Sequence, residues 1–321
     1  MADQETFPTL NIDVPDDPEY QKQVTVPVSV GNQVWRRFRR HPGAVAGVLV
    51  FTILALASIS AFLSPYPVNE SNMGIRLQAP SGFHIMGTDA LGRDLLTRAL
   101  YGGRISLSVG LIVVGIALAI GVPIGALAGY YGGRIDSMLM RFTDVFLSLP
   151  AFLVVILLGA IISEGSLPFL KGNSVWTIGF VIGILSWMTF ARLVRAAFLT
   201  IRELDYVTAS RGLGSSDLRI IIRHVLPNSI GPVIVEATLE MGYAIVQESG
   251  LSFLGFGIQP PTPSWGNLLT NAQENFTKYP WLAIFPGLMI FLSIISVNYI
   301  GDGLRDAFDP YKVLETVGEY T

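Results

Sequence analysis

The chain has 321 residues, 51% hydrophobic and 14% charged, with 21 basic against 24 acidic side chains and a mean hydropathy of +0.52. That balance describes a polytopic membrane protein rather than a soluble enzyme, and a net charge of -3 without a basic surface excludes a nucleic-acid grip. With no cysteine, disulfides, thiolate metal sites and cysteine nucleophiles are excluded as well.

Residues 1–34 are polar and acidic, and Pro8, Pro15, Pro18 and Pro27 discourage long helices, so a mostly disordered cytoplasmic tail is expected there. An anchor over 35–63 follows. Its apolar run begins too far from Met1, and lacks an early basic region, to be a cleaved signal. A bilayer crossing needs about 20 apolar residues, and six runs qualify, near 43–63, 105–129, 142–162, 175–194, 229–255 and 281–300. Orientation follows from the excess of Lys and Arg retained inside. Arg36, Arg37, Arg39 and Arg40 place the start of the first span in the cytoplasm, and six crossings then return 130–141, 192–227 and 301–321 to that side, where most other arginines lie. Both termini are therefore expected to be cytoplasmic. The segment 64–104 is an extracytoplasmic structure of its own, and 256–278, around Trp265 and Asn267, is read as a wet stretch framing an outer mouth.

In the second span Ala117, Gly121, Gly125 and Gly129 recur every fourth residue, leaving one stripe without bulk for another helix to approach, and Pro123 invites a kink. The run Gly87-Thr-Asp-Ala-Leu-Gly92-Arg93-Asp94 imitates a phosphate cradle in spacing. It lacks the Lys-Ser/Thr end, and Asp89 and Asp94 would repel phosphate. His41, His84 and His224 are scattered without a metal-binding pattern, and no Gly-x-Ser-x-Gly elbow has a His partner. Neither a catalytic residue nor a cofactor or metal site is expected.

Two polar features interrupt the apolar sequence. Glu236, Glu240 and Glu248 lie in the fifth span, where an ionised carboxylate costs roughly 2.5–3.5 kcal/mol or more. Glu236 and Glu240, four apart, share a face; they are read either as facing a watered path that attracts a cationic group or as a polar or protonated inter-subunit contact. The second feature is the hairpin from Asp205 to Pro227. A helical piece ends at Arg211, Gly214 permits a turn, and Ser215 or Ser216 caps a second piece that opens with Asp217. Leu218, Ile221, Ile222 and Val225 fall on one side of it, and Arg219 and Arg223 on another.

This hairpin resembles the cytoplasmic coupling loop of ABC-transporter permeases, with Thr208-Ala209-Ser210, Gly214 and Leu226-Pro227 in register. It departs from the usual pattern at Thr208 (for Glu), Ser210 (for Ala) and His224 (for Ile). The blocks Met86–Leu96, Glu248–Gly266 and Gly301–Pro310 are similar to the dipeptide, oligopeptide and nickel group, in particular its C-type subunit. The resemblance implies an all-α integral membrane fold of six transmembrane helices, the type I importer (MetI-like) permease fold with an extra N-terminal helix. It implies a five-helix core over 105–300, a coupling loop at 203–227 and a C-terminal tail at 301–321. Ala209, Ser210, Gly214, Ser216, Asp217, Leu218, Arg219, Ile222 and Pro227 would couple to the ATPase, with the apolar stripe filling its cleft. Glu236 and Glu240 would lie on the translocation path, with Glu248 more structural. The implied partners are a B-type permease subunit, one or two ATP-binding cassette subunits, an extracytoplasmic substrate-binding protein and membrane lipid, in a bacterial or archaeal inner membrane. Di- or oligopeptides are the implied cargo, with nickel chelates, glutathione or oligosaccharides as alternatives. An autonomous channel or secondary carrier, or a scaffold, would need no coupling loop.

Overall fold

The computed structural model describes residues 30–163, 175–273 and 275–309. Most of the tail expected over 1–34, and residues 310–321 of the expected C-terminal tail, lie outside them. Among the described residues the regular structure is helical, apart from one isolated bridge between Thr88 and Asp94.

A short amphipathic helix, α1 (Val30–Phe38), precedes α2 (Pro42–Ile59), whose first turn is closed by His41: its Nδ1 accepts from the Ala44 N–H at 3.0 Å. The long α3 (Leu95–Tyr131) has 37 residues, about 55 Å at 1.5 Å per residue, and takes Pro123 within a continuous helix. The next two expected spans are each broken. α4 (Gly133–Leu147) and α5 (Ala151–Ser163) meet at 73°, because Pro150 disfavours helical backbone at Leu149 and cannot donate a hydrogen bond. α6 (Val175–Gly183) and α7 (Trp187–Ile201) meet at 46° across a break bounded by Gly183 and Ser186.

After α8 (Asp205–Gly212), α9 (Asp217–Ile220) runs through a π turn at Ile221–Val225 into α10 (Leu226–Phe253). α11 (Trp265–Gln273) and α12 (Trp281–Phe308) are the last helices among the described residues, and α12 runs eight residues beyond its expected end at 300. Among the described residues four helices are long and apolar enough to cross a membrane, or up to six if each bent pair is one span.

The bundle has two ends. One, the basic end, carries the α3–α4 junction, the hairpin between α7 and α10, and Arg305 near the close of α12. At the other end residues 64–94 form a knot on the start of α3. Asp94 is the N-cap of α3, its Oδ2 accepting from the Thr97 N–H and Oγ1, each at 2.7 Å, while its Oδ1 lies 2.9 Å from His84 Nδ1. Asp89 accepts from the N–H groups of Leu91 and Arg93 at 2.9 Å and from Arg93 Nε at 2.7 Å. The cradle-like run therefore spends its polar groups on its own fold, with Gly92 in the left-handed region at φ 72° where a side chain would strike the Asn72 carbonyl.

α3 is the central helix, and its glycine stripe is the seam with α7. A Cβ at Gly121 would lie 2.5 Å from the Trp187 carbonyl oxygen, and one at Gly129 2.5 Å from Phe198 Cβ. Phe190, Val194 and Phe198 are fully buried against the stripe. Backbone approach of this kind is the main source of helix–helix attraction where the solvent is itself apolar. α4 is tied to α7 by two ion pairs, Arg192–Asp144 at 2.6 Å and a two-pronged Arg195–Asp136.

Within the segment read as a wet outer mouth, residues 263–268 are buried. Trp265 is 1% exposed and donates its indole N–H to the Ala99 carbonyl at 2.9 Å, and Asn267 donates to the carbonyls of Ile258 and Thr262. α11 fills the space between α3, α10 and α12, and the side-chain polar atoms of Trp265 and Asn267 are consumed by backbone groups.

Candidate functional site

The hairpin between α7 and α10 is pinned to the basic end of α3. Arg202 Nη1 donates to the carbonyls of Gly129 and Tyr130, at 2.9 and 3.2 Å, and so completes the open C-terminal turn of α3. The Tyr130 hydroxyl donates to Asp217 Oδ1 at 2.7 Å, and the Arg211 guanidinium stands 5.6 Å from the Tyr130 ring centre. Gly214 takes φ 81° between α8 and α9, with open space around it. Ser216 is the N-cap residue of α9 by backbone geometry but makes no capping bond with its side chain.

The second helical piece is not separate from the span that follows. Residues Asp217–Phe253 are continuous. Pro227 has no N–H to return to the Arg223 carbonyl, and the turn before it widens so that the Leu226 N–H reaches the Ile221 carbonyl instead.

The expected apolar stripe splits into two faces. Ile221 and Val225, with Ile220 and Val207, are buried in this chain's own core beside Phe198. Leu218 and Ile222, 66% and 55% exposed, point outward with Leu213, which is 88% exposed. Spacing alone could not separate the faces, since a four-residue window spans both. Arg219, Arg223, Ala209 and Pro227 are exposed and Ser210 is half-buried.

The three glutamates of α10 occupy three different environments. Glu236 is half-buried in a cavity of about 500 Å³ between α7, α10 and α12. Glu240 is 8% exposed and turned inward, with its Oε1 lacking a hydrogen-bond partner among the described residues. Glu236 and Glu240 are neighbours on one side of α10, as their spacing gives, but the surrounding helices cover Glu240 while Glu236 opens on the cavity. Glu248 is fully buried, accepting from Ser106 Oγ at 2.7 Å and Ser252 Oγ at 2.6 Å. Ser106 Oγ in turn accepts from the Trp265 N–H at 3.3 Å and Ser252 Oγ from the Ile258 N–H at 2.9 Å. Glu248 thus joins α3, α10 and the approach to α11 and faces no open path.

The family described as binding-protein-dependent transport system inner membrane component matches residues 121–312, and the N-terminal TM domain of oligopeptide transport permease C matches residues 29–80. The chain belongs to this family of ABC-importer permeases. It is a C-type subunit of the dipeptide, oligopeptide and nickel group. The permease is 39% identical to the dipeptide transport system permease protein DppC of Alkalihalophilus pseudofirmus, over 92% of this chain and 94% of that one. It is 39% identical to the glutathione transport system permease protein GsiD of Pectobacterium atrosepticum, over 87% and 90%. It is also 39% identical to the oligopeptide transport system permease protein OppC of Haemophilus influenzae, over 87% and 89%. Among solved structures, a chain of the inward-facing MetNI methionine ABC transporter aligns with a TM-score of 0.52 at 17% identity, covering 66% of this chain and 96% of that one. The chain therefore shares the fold of that transporter chain, and its family makes it a permease subunit of an ABC importer, not itself catalytic.

Sequence reasoning about this permease missed Tyr130, Arg202, Ser106 and Ser252. Their partners lie 87, 73 and 142 positions away for Tyr130–Asp217, Arg202–Gly129 and Ser106–Glu248, beyond any local pattern. Only Ser252, one helical turn from Glu248, carried a usable signal.

Proposed function

We propose that this chain forms half of the translocation path of an ATP-driven importer for di- or oligopeptides, crossing the membrane six times with each bent pair as one span. The basic end and both termini face the cytoplasm, in keeping with the arginines gathered there, and the 64–94 knot faces outward. The other half of the path is a B-type permease subunit. One or two ATP-binding cassette subunits seat on the hairpin, and an extracytoplasmic binding protein delivers cargo. The location is a bacterial or archaeal inner membrane. Relatives named for dipeptide and oligopeptide transport support the peptide assignment, and the relative named for glutathione keeps that tripeptide as a second reading.

The observation that carries the coupling role is the continuity of Asp217–Phe253. A partner that grips Leu213, Leu218 and Ile222 holds the end of a rigid rod, so closure of the partner's cleft tilts α10 as a whole, a hinge or shear movement. Ala209, Ser210, Gly214, Ser216, Asp217, Arg219 and Pro227 complete the seat and its turn. Gly214→Val tests this. A β-branched residue at φ 81° costs at least about 1–2 kcal/mol locally, so the hairpin should reshape while the bundle inserts. ATP hydrolysis by the reconstituted complex should persist with peptide uptake lost. Unchanged uptake would sink the coupling role.

A further inference from the structure

The exposed surface of α10 mixes Ile230, Ile234 and Val246 with a row of polar residues. α2 exposes Leu49, Ile53, Leu56 and Ile59, as a lipid-facing helix does, and α12 exposes Ile284, Leu288 and Phe291. On α10 the residues Glu236, Tyr243 and Gln247 stand two and then one helical turns apart on one face, with Tyr243 63% exposed and Gln247 half-buried. Such a row in contact with hydrocarbon would leave a hydroxyl, an amide and a carboxylate without partners. It leads to the cavity of about 500 Å³ at the basic end, whose apolar walls include Leu193, Leu239 and Phe308 and whose charged groups are Glu236, Arg305 and, at its rim, Asp309. Glu236 has no hydrogen-bonding or ionic partner among the described residues. Volumes of 300–1,000 Å³ suit small organic ligands, and apolar walls with a few convergent polar groups are the usual form of such sites.

We propose that this cavity is a transit site for a short zwitterionic peptide, with Glu236 taking its ammonium group and Arg305 its terminal carboxylate. The proposal rests on the peptide-permease reading above. Two carboxylates, Glu236 and Asp309, and one guanidinium, Arg305, share this apolar-walled space, so one group of each sign can meet the two ends of a free peptide. A carboxylate near the cavity's walls makes an anionic lipid headgroup a poor occupant. The site recognises termini and leaves side chains to apolar contact.

The chain contains no cysteine, so Leu239→Cys supplies one reporter whose labelled band separates from those of the other subunits. The complete transporter, in nanodiscs and without its binding protein, is labelled with a maleimide in the presence of millimolar dialanine, N-acetyl-dialanine or dialanine amide. Dialanine should slow labelling about threefold, the protection given by a ligand at twice its Kd, and each blocked peptide less. In Arg305→Gln the acid and the amide should become equivalent; in Glu236→Gln the free and acetylated peptides should. Equal protection by all three peptides, or by none, in a complex that imports peptide when its binding protein is restored, overturns the site while leaving the permease reading intact. Slowing by added anionic lipid instead of peptide overturns it too. A wild-type complex that imports no peptide overturns both.

Discussion

The Tyr130 hydroxyl donates to Asp217 Oδ1 at 2.7 Å, joining the last turn of α3 to the first turn of the rod that continues into α10. The bond binds the hairpin to the helix that runs through the centre of the bundle. Tyr130→Phe removes it without removing the ring beside Arg211. A hydrogen bond to a charged group contributes about 1.5–3 kcal/mol, and the exposure of Asp217 puts this one at the lower end. Uptake per ATP hydrolysed should fall severalfold in the reconstituted complex, with little change in Tm.

The two faces of α9 and its extension predict opposite phenotypes. Leu218→Asp with Ile222→Asp changes only outward side chains, so the chain should fold normally and lose co-purifying ATPase. Ile220→Ala empties a fully buried position and should cost about 2–5 kcal/mol, read as a lower Tm. Retained ATPase binding by the double Asp variant would mean that the docking surface lies elsewhere.

Glycines of α3 separate by their surroundings. Gly125 faces the Ala191 backbone and Val194, while nothing lies within 4 Å of a Cβ at Gly115. Gly125→Leu should force α3 and α7 apart at a cost of about 1–3 kcal/mol or more, seen as aggregation or a lowered Tm in detergent. Gly115→Ala should be neutral or raise stability by about 0.5–1 kcal/mol, the helix preference for Ala over Gly.

Glu248 predicts a stability effect rather than a specificity effect. Glu248→Ala leaves the Ser106 and Ser252 hydroxyls without their acceptor in a dry site, at about 1–3 kcal/mol for each unsatisfied group. Glu248→Gln keeps the shape and one acceptor and should lose much less. Thermal unfolding of the two variants checks this, and their uptake of cationic and neutral peptides should change by the same factor. A selective loss of cationic peptides would place Glu248 on the path.

Much of this protein was legible before any coordinate. Apolar runs marked where chain meets lipid, because a bilayer imposes a length and a polarity on whatever crosses it. The four-residue glycine period marked the tightest helix seam, and the Gly214 turn marked the hairpin. Each is a local property, written in consecutive residues.

The tertiary structure decided what local pattern could not. Pro150 marks a break between two apolar runs, but the 73° between the two halves is seen only in the tertiary structure. Glu236 and Glu240 look equivalent at four-residue spacing, yet one opens on a cavity and the other turns into the bundle, because the surrounding helices fix which arc of α10 is covered. Trp265 and Asn267 look wet from composition and are dry because backbone carbonyls from α3 and the preceding loop accept their hydrogen bonds. By itself the sequence determined that the chain is a helical membrane protein and where its apolar runs lie; the partner of each buried polar group was set by contacts between residues far apart in the chain.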